Sequence, residues 1–178
     1  AAGTAVANST TETILVPNIT IPANYMQNGR CLRIRATGGY GTTATPTLQI
    51  RLRAGGVAGT QIGITGAAVT TSGVGGGASM TALWEFDAMI QTRANGASGT
   101  LFTNGAIVLH TSTVPTAGTV TNYGMRVPLV SGATGGTTPV AVTYDLTADF
   151  ALALTATWGT ANAANSIRLD TYIVESLN

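Results

Sequence analysis

The chain has 178 residues, of which only 8% are charged, and its formal net charge is +1. It contains eight arginines, no lysine, one histidine and one cysteine, so it offers few groups for acid/base, nucleophilic or metal chemistry. This composition argues against an enzyme and fits one domain, and its low net charge favours self-association over mutual repulsion.

Residues 1–11 are small and polar, which predicts an extended N-terminal arm. The arm has too little apolar bulk to order itself, and we expect it to lie on a neighbouring molecule in an assembly. Residues 12–178 are expected to form a single domain. The sequence shows neither a secretory signal nor an apolar run of about 18 residues, so no membrane partner is expected.

Alternation of apolar and polar residues predicts strands along most of the chain. Residues 47–54 are the plainest example of a half-buried antiparallel strand. The residues predicted to face the core are Leu48, Ile50 and Leu52. The residues predicted to face outward are Gln49, Arg51 and Arg53.

Further strands are expected over most of the chain, with glycine-rich or proline-containing turns between them. These strands are expected at about residues 13–21, 31–37, 61–65, 83–93, 100–110, 126–130, 140–144, 150–158 and 166–177. The turns are expected at Gly38-Gly39, Gly55-Gly56, residues 73–77 and residues 131–139. The total is eight to ten strands.

The last two strands carry predictions about individual faces. In the segment 150–158, the small outward residues are expected to be approached closely by another surface; they are Ala151, Ala153, Thr155 and Thr157. In the segment 166–177, strict alternation predicts one face made of Ile167, Leu169 and Ile173. The opposite face is then made of Arg168, Asp170, Tyr172 and Val174.

These patterns predict an all-β protein built as an antiparallel β-sandwich. A double sheet of this size with about eight strands is typical of the jelly roll, although another Greek-key sandwich gives nearly the same pattern. No segment shows the apolar stripe of an amphipathic helix.

Few residues offer candidates for catalysis. The loop Gly73-Val74-Gly75-Gly76-Gly77 lacks the lysine of a phosphate-binding loop. The sequence also has no nucleophile-elbow motif that would place a catalytic serine beside His110. Glu85 and Asp87 share one strand face and are a conceivable carboxylate pair for glycoside hydrolysis. We expect them instead to form salt bridges with the arginines of a neighbouring strand, either Arg33 and Arg35 or Arg51 and Arg53.

The sequence predicts no cofactor, metal or catalytic residue. One histidine, one cysteine and dispersed acids give no zinc site, and Cys31 is expected to be a buried small apolar residue. The arginine clusters lack the aromatic stacking platform of single-stranded nucleic-acid binding, so no nucleic-acid partner is expected.

Three stretches resemble small β-sandwich virion proteins of tailed bacteriophages and prophages. They are Ile19-Thr20-Ile21-Pro22-Ala23-Asn24, residues 41–56 and residues 154–167. The resemblance covers most of residues 12–178, including the stretch around Trp84-Glu85, and consists of strand and turn residues without a catalytic signature.

This resemblance implies a trimeric jelly-roll subunit in the virion, either a cement protein that decorates the outer capsid surface or part of a fibre or tail appendage. Two features favour decoration: the sequence shows no long shaft, and the predicted N-terminal arm could clamp neighbouring capsid subunits. Three subunits are then expected to pack through small-residue sheet faces and to bridge subunits of the major capsid protein.

Two other functions are open at this point. A tail module that binds a host receptor or glycan would use exposed aromatic residues as stacking groups. The candidates for that role are Tyr25, Tyr40, Tyr123 and Trp158. A secreted carbohydrate-active enzyme would depend on Glu85 and Asp87.

Overall fold

The structure is a computed structural model, and it describes residues 3–43, 46–65, 69–70, 80, 82–110, 124–132 and 138–178. This part of the chain contains thirteen β-strands and no helix, as the all-β prediction requires. The strands are β1 (Val6–Ala7), β2 (Thr13–Ile14), β3 (Ile19–Ile21), β4 (Cys31–Gly41), β5 (Thr47–Ala54), β6 (Thr60–Ile64), β7 (Val69–Thr70), β8 (Ala82–Ala94), β9 (Gly99–Leu109), β10 (Met125–Ser131), β11 (Val142–Tyr144), β12 (Phe150–Trp158) and β13 (Ser166–Ser176).

All strand pairs are antiparallel and form one sheet that is nearly closed into a barrel-like shape. Its order is β1-β13-β4-β8-β9-β10-β6-β5-β12-β2, with β11 beside β9, β3 beside β12 and β7 beside β5. The two ends of this order, β1 and β2, are neighbours in the sequence. The first strands of the chain therefore lie at the seam between β13 and β12.

The core lies inside this shell and is built by the predicted alternation. Along β8 every second residue from Ala82 to Thr92 is buried, and the residues between them face outward. The largest buried side chains are Trp84 and Trp158, and the indole of Trp84 donates a hydrogen bond to the Arg168 carbonyl at 3.0 Å. Burial of such large apolar groups is the main stabilising contribution to a shell of this kind.

Residues 3–14, which we call the N-terminal strap, close the seam. Gly3 donates its N–H to the Leu169 carbonyl at 2.7 Å, and Val6 pairs with Ile167. The Val6 side chain is buried in the core, and its carbonyl accepts a hydrogen bond from the Trp158 indole at 3.3 Å. This differs from the predicted arm on a neighbouring molecule, because the strap backbone finds partners on its own sheet.

Two predicted strands have the observed bounds, and one predicted strand is divided in the structure. Strands β5 and β12 have the predicted bounds, and their apolar faces are buried as expected. The predicted strand 13–21 is instead two short strands, β2 and β3, with Pro17 between them. Proline lacks the N–H that a continuous ladder requires.

Gly38-Gly39 was predicted as a turn but lies inside β4. The reason is packing rather than backbone freedom: a Cβ on Gly38 would lie 2.0 Å from the Arg168 carbonyl oxygen. Gly38 lets β13 approach β4 closely at this point. Gly55-Gly56, by contrast, turns the chain with φ of +95° and +80°, as predicted.

A β-bulge in β13 overturns one predicted face. The pairing with β4 shifts between Leu169 and Thr171, which makes Asp170 an extra residue and reverses the alternation after it. Tyr172 and Val174 therefore pack against the core, and Ile173 faces outward with 43% of its surface exposed. Strict alternation predicted the reverse for all three residues.

Candidate functional site on the outer sheet face

The outward side chains of β13, β4, β8, β9 and β10 form a broad surface that we call the charged face. Strand register sets them in three rows across the sheet. The first row is Glu175, Arg33, Met89, Asn104 and Val130. The second row is Ile173, Arg35, Asp87, Ala106 and Pro128. The third row is Thr171, Thr37, Glu85, Val108 and Arg126.

Arg33 and Asp87 form the central ion pair of the charged face. The guanidinium donates to both carboxylate oxygens, from Nε to Oδ1 at 3.1 Å and from Nη2 to Oδ2 at 2.5 Å. This two-point contact lowers the pKa of Asp87, with a smaller contribution from the charge of Arg35. The predicted pairing of the Asp87 carboxylate with an arginine of β4 is confirmed.

Glu85 lies one row away from Asp87 on the same face of β8. Its carboxylate oxygen is 3.7 Å from Nε2 of His110, and its side chain is 63% exposed. The backbone of His110 is fixed from the other side, since the Tyr40 hydroxyl donates to its carbonyl at 2.7 Å. Asp87 is therefore paired with an arginine as predicted, whereas the basic side chain beside Glu85 is His110, so the predicted pairing of Glu85 with an arginine of a neighbouring strand is wrong.

Two adjoining depressions mark the middle of the charged face. One has a volume of about 220 Å³, with Ala106 and Val108 below and Arg35, Glu85 and Arg126 around it. The other, of about 340 Å³, is lined by residues that include Arg33, Met89, Asn104 and Leu177. Asp87 and Arg126 line both. The small Ala106 side chain, between longer neighbours, leaves the space for the first depression.

A second ionic cluster lies on the other side of the shell, around Glu12 of the N-terminal strap. Arg53 donates to both Glu12 oxygens, from Nε at 2.5 Å and from Nη2 at 2.8 Å. Arg51 lies 3.4 Å from the same carboxylate and also donates to Gln61 at 3.0 Å and Thr157 at 2.8 Å. Arg51 and Arg53 therefore form ion pairs with Glu12, and their predicted pairing with Glu85 and Asp87 is wrong.

This Glu12 cluster covers part of the small-residue face of β12. Thr155 is fully buried and donates its hydroxyl to Glu12 at 2.6 Å, and Ala153 is fully buried as well. The face was predicted to be approached closely by another surface. That surface includes the chain's own strap.

The aromatic residues predicted as stacking groups are mostly unavailable. Trp158 and Tyr40 are buried in the core. Tyr25 is half-buried, and its ring is covered by the Arg30 guanidinium at 4.5 Å. Tyr123 and the loop 73–77 lie outside the described residues.

The remaining chemistry is sparse in the part of the chain that the structure describes. Cys31 is half-buried rather than fully buried, and burial raises the pKa of its thiol. No group of three or more histidine, cysteine or acidic side chains is placed to hold a metal ion among these residues. The same residues include no helix with the length and apolarity needed to cross a membrane.

Comparison of the chain with protein-family models, with curated proteins and with solved structures finds no match.

Sequence reasoning overlooked two residues of these sites. Arg126 is isolated in the sequence, and only the register of β10 with β9 brings it beside Glu85 and Asp87. Glu12 stands at the edge of the predicted arm, where no partner was expected. The available signal for Glu12 was the pair Arg51 and Arg53, whose outward charges favour a nearby carboxylate.

Proposed function

We propose that this chain is a structural protein of a bacteriophage virion, a cement protein that decorates the outer capsid surface as a homotrimer. The observation that carries the proposal is the charged face, where large apolar side chains are exposed among arginines and carboxylates. These side chains are Leu83, Met89 and Ile173, with 61%, 38% and 43% exposure, and Leu177 just after the end of β13, with 49%. Surfaces that combine methionine, other apolar groups and arginine are typical of contacts between proteins.

The proposed partners are two further copies of the chain and the major capsid protein, without a nucleic-acid or membrane partner. A symmetric trimer engages three equivalent sites at once, so the effective concentration of the second and third contacts strengthens a weak first contact. Such a trimer bridges adjacent capsid subunits and resists the pressure of packaged DNA.

The closed seam supports a mechanical role. The N-terminal strap joins β13 to β12 through backbone pairing, the buried Val6 and the Glu12 cluster. The strap covers β13 at Ser166 and Ile167 and β12 at Thr155 and Ala156, and uncovered edges are the places where a sheet opens or aggregates. A shell tied in this way transmits force across its width.

The proposal includes a jelly-roll arrangement, which the nesting of strand pairs supports. Among the longer strands, β4 pairs with β13, β5 with β12, β6 with β10, and β8 with β9. This is the nesting of a long hairpin that has been rolled up. In the described residues the pairs join sideways into one sheet, so the division into two facing sheets belongs to the proposal.

In the proposed trimer, the small-residue face of β12 does not form the contact between subunits. Ala153 and Thr155 of that face are already buried within one chain, partly by Glu12. The exposed apolar residues of the charged face replace them in the proposal, both toward other copies and toward the capsid.

Electron microscopy of virions labelled with an antibody against this protein tests the proposal. A regular array of label over the head is the expected result. Label confined to the tail would overturn the cement role in favour of host recognition, and unlabelled virions would overturn a virion role altogether. Native mass spectrometry of the purified protein adds the oligomeric state, for which we expect three times the 17.9 kDa subunit mass.

A further inference from the structure

The eight arginines of the chain all lie in described residues, and six have a partner there. Four are in ion pairs with carboxylates: Arg33, Arg51, Arg53 and Arg168. Arg30 and Arg93 lie over the rings of Tyr25 and Phe102, at 4.5 and 3.9 Å. In a chain with so few charges, an arginine without such a contact is the exception.

Arg35 and Arg126 are these exceptions. Within the described residues, the side chain of neither has a hydrogen bond, an ion pair or a ring contact. Both are exposed, and both line the depression of about 220 Å³ on the charged face. Two unengaged guanidinium groups therefore flank one concavity.

Neither neighbouring carboxylate forms an ion pair with Arg35 or Arg126. Asp87 already accepts hydrogen bonds from Arg33 on both oxygens, and it acts on Arg35 only through its charge at longer range. Glu85 lies beside His110. The side chains below the depression, Ala106 and Val108, offer no acceptor.

We propose that Arg35 and Arg126 bind two carboxylates of an acidic segment in a protein partner, laid across β4, β8, β9 and β10. The planar guanidinium fork matches a carboxylate with two parallel hydrogen bonds, which makes arginine the side chain suited to this contact. The inference rests on the proposed function, in which the partner is the capsid surface beneath the trimer. It adds that this surface is acidic where it meets the chain.

The surroundings of the depression favour a protein as the partner. Met89 and Leu177 line the adjoining depression, and Ile173 lies next to Arg35 in the second row. These exposed apolar groups can be buried by apolar side chains that accompany the carboxylates. Arginine and methionine are both enriched at protein–protein interfaces, and arginine is frequent among hot-spot residues.

A blocked peptide of eight glutamates serves as the probe, with a peptide of eight glutamines for comparison. Isothermal titration calorimetry at low ionic strength measures its binding to the wild-type protein and to the double variant Arg35→Gln/Arg126→Gln. The matched control is Arg93→Gln/Arg168→Gln, which removes the same net charge elsewhere. We expect the first variant to lose about tenfold in affinity for the glutamate peptide and the control less than about twofold.

Equal losses in the two variants would show a general effect of net charge and overturn the inference, as would unchanged binding in the first variant. Because Arg35 and Arg126 are exposed, we expect the urea unfolding midpoint of that variant to be unchanged. A native mass that falls from trimer to monomer in the Arg35→Gln/Arg126→Gln variant alone would identify a second copy as the occupant and also overturn the inference.

Binding to phage heads that lack the protein separates this inference from the proposed function. If the wild-type protein decorates heads and Arg35→Gln/Arg126→Gln decorates them equally well, the inference is wrong and the cement role stands. If the wild-type protein does not bind heads but the selective loss of peptide binding is observed, the cement role is wrong and the acidic-segment site stands.

Discussion

The Glu12 cluster and the charged face start from the same sequence pattern and reach different ends. Arg51 and Arg53 alternate along β5 as Arg33 and Arg35 alternate along β4. The first pair is enclosed by the strap, so that Arg51, Arg53 and Glu12 have side chains only 16–19% exposed. On β4 only Arg33 has a carboxylate partner. Enclosure by the strap thus distinguishes an ionic cluster that stabilises the fold from an exposed surface that can contact a partner.

Loss of the Glu12 carboxylate gives the largest expected effect. Glu12→Gln leaves Arg51 and Arg53 half-buried without a counter-charge and weakens the strap at the seam. We expect the free energy of unfolding to fall by about 2 kcal/mol, below the range for a fully buried pair because the cluster has some contact with water. Urea unfolding measures it, and Asp170→Asn, in an exposed pair with Arg168, is the control with an unchanged midpoint.

The pH dependence of stability tests the same cluster. Burial by itself raises the pKa of Glu12, but hydrogen bonds from Arg53 and Thr155 and the charge of Arg51 outweigh burial and lower the pKa from its ordinary value of 4.5. A lowered folded pKa gives stability that is present above about pH 4.5 and is lost as pH falls through the folded value. Wild type should therefore lose more stability between pH 7 and pH 3 than Glu12→Gln. Parallel curves would contradict this.

Thr155→Val tests the fully buried hydroxyl beneath the Glu12 cluster. The substitution keeps the shape of the side chain and removes the donor that lies 2.6 Å from Glu12. We expect a loss of about 1.5 kcal/mol in the free energy of unfolding, since one hydrogen bond to a charged acceptor disappears. Thr157→Val, at a less buried position of the same strand, gives a companion measurement. A loss at Thr157 larger than at Thr155 would argue against the central place of Glu12.

The smallest effect is expected on the charged face, and it concerns binding rather than stability. Asp87→Asn releases Arg33 from its carboxylate partner and adds a third unengaged guanidinium beside the two depressions. We expect an unchanged unfolding midpoint and about threefold tighter binding of the glutamate peptide. Weaker binding would indicate that the Arg33–Asp87 pair itself shapes the site.

A feature of the fold could be predicted from the sequence when it depends on residues close together in the chain. Strands β5 and β12 were predicted with correct bounds because each alternates without interruption between two turns. The strap was missed because its order depends on pairing Val6 with Ile167, which no local pattern contains. The reversed face of β13 was missed because one extra residue, Asp170, leaves no mark in the sequence.

In the candidate site, too, some contacts could be predicted from the sequence and others could not. Pairing of Asp87 with an arginine followed from strand faces, but the choice between β4 and β5 needed the order of strands in the sheet. Arg126 reaches the charged face only through register across β9. Charge alternation within one strand is readable from sequence, whereas the meeting of three strands is not.

The seam also has a consequence for folding kinetics. Val6 and Gly3 are made long before their partners Ile167 and Leu169, which follow nearly all the other described strands. Closure of the shell is therefore a late event between distant parts of the chain, and such contacts slow folding because a long loop must close first. Until closure, the edge of β13 at Ile167 is unprotected, so newly made chains pass through a stage in which that edge can pair with another molecule.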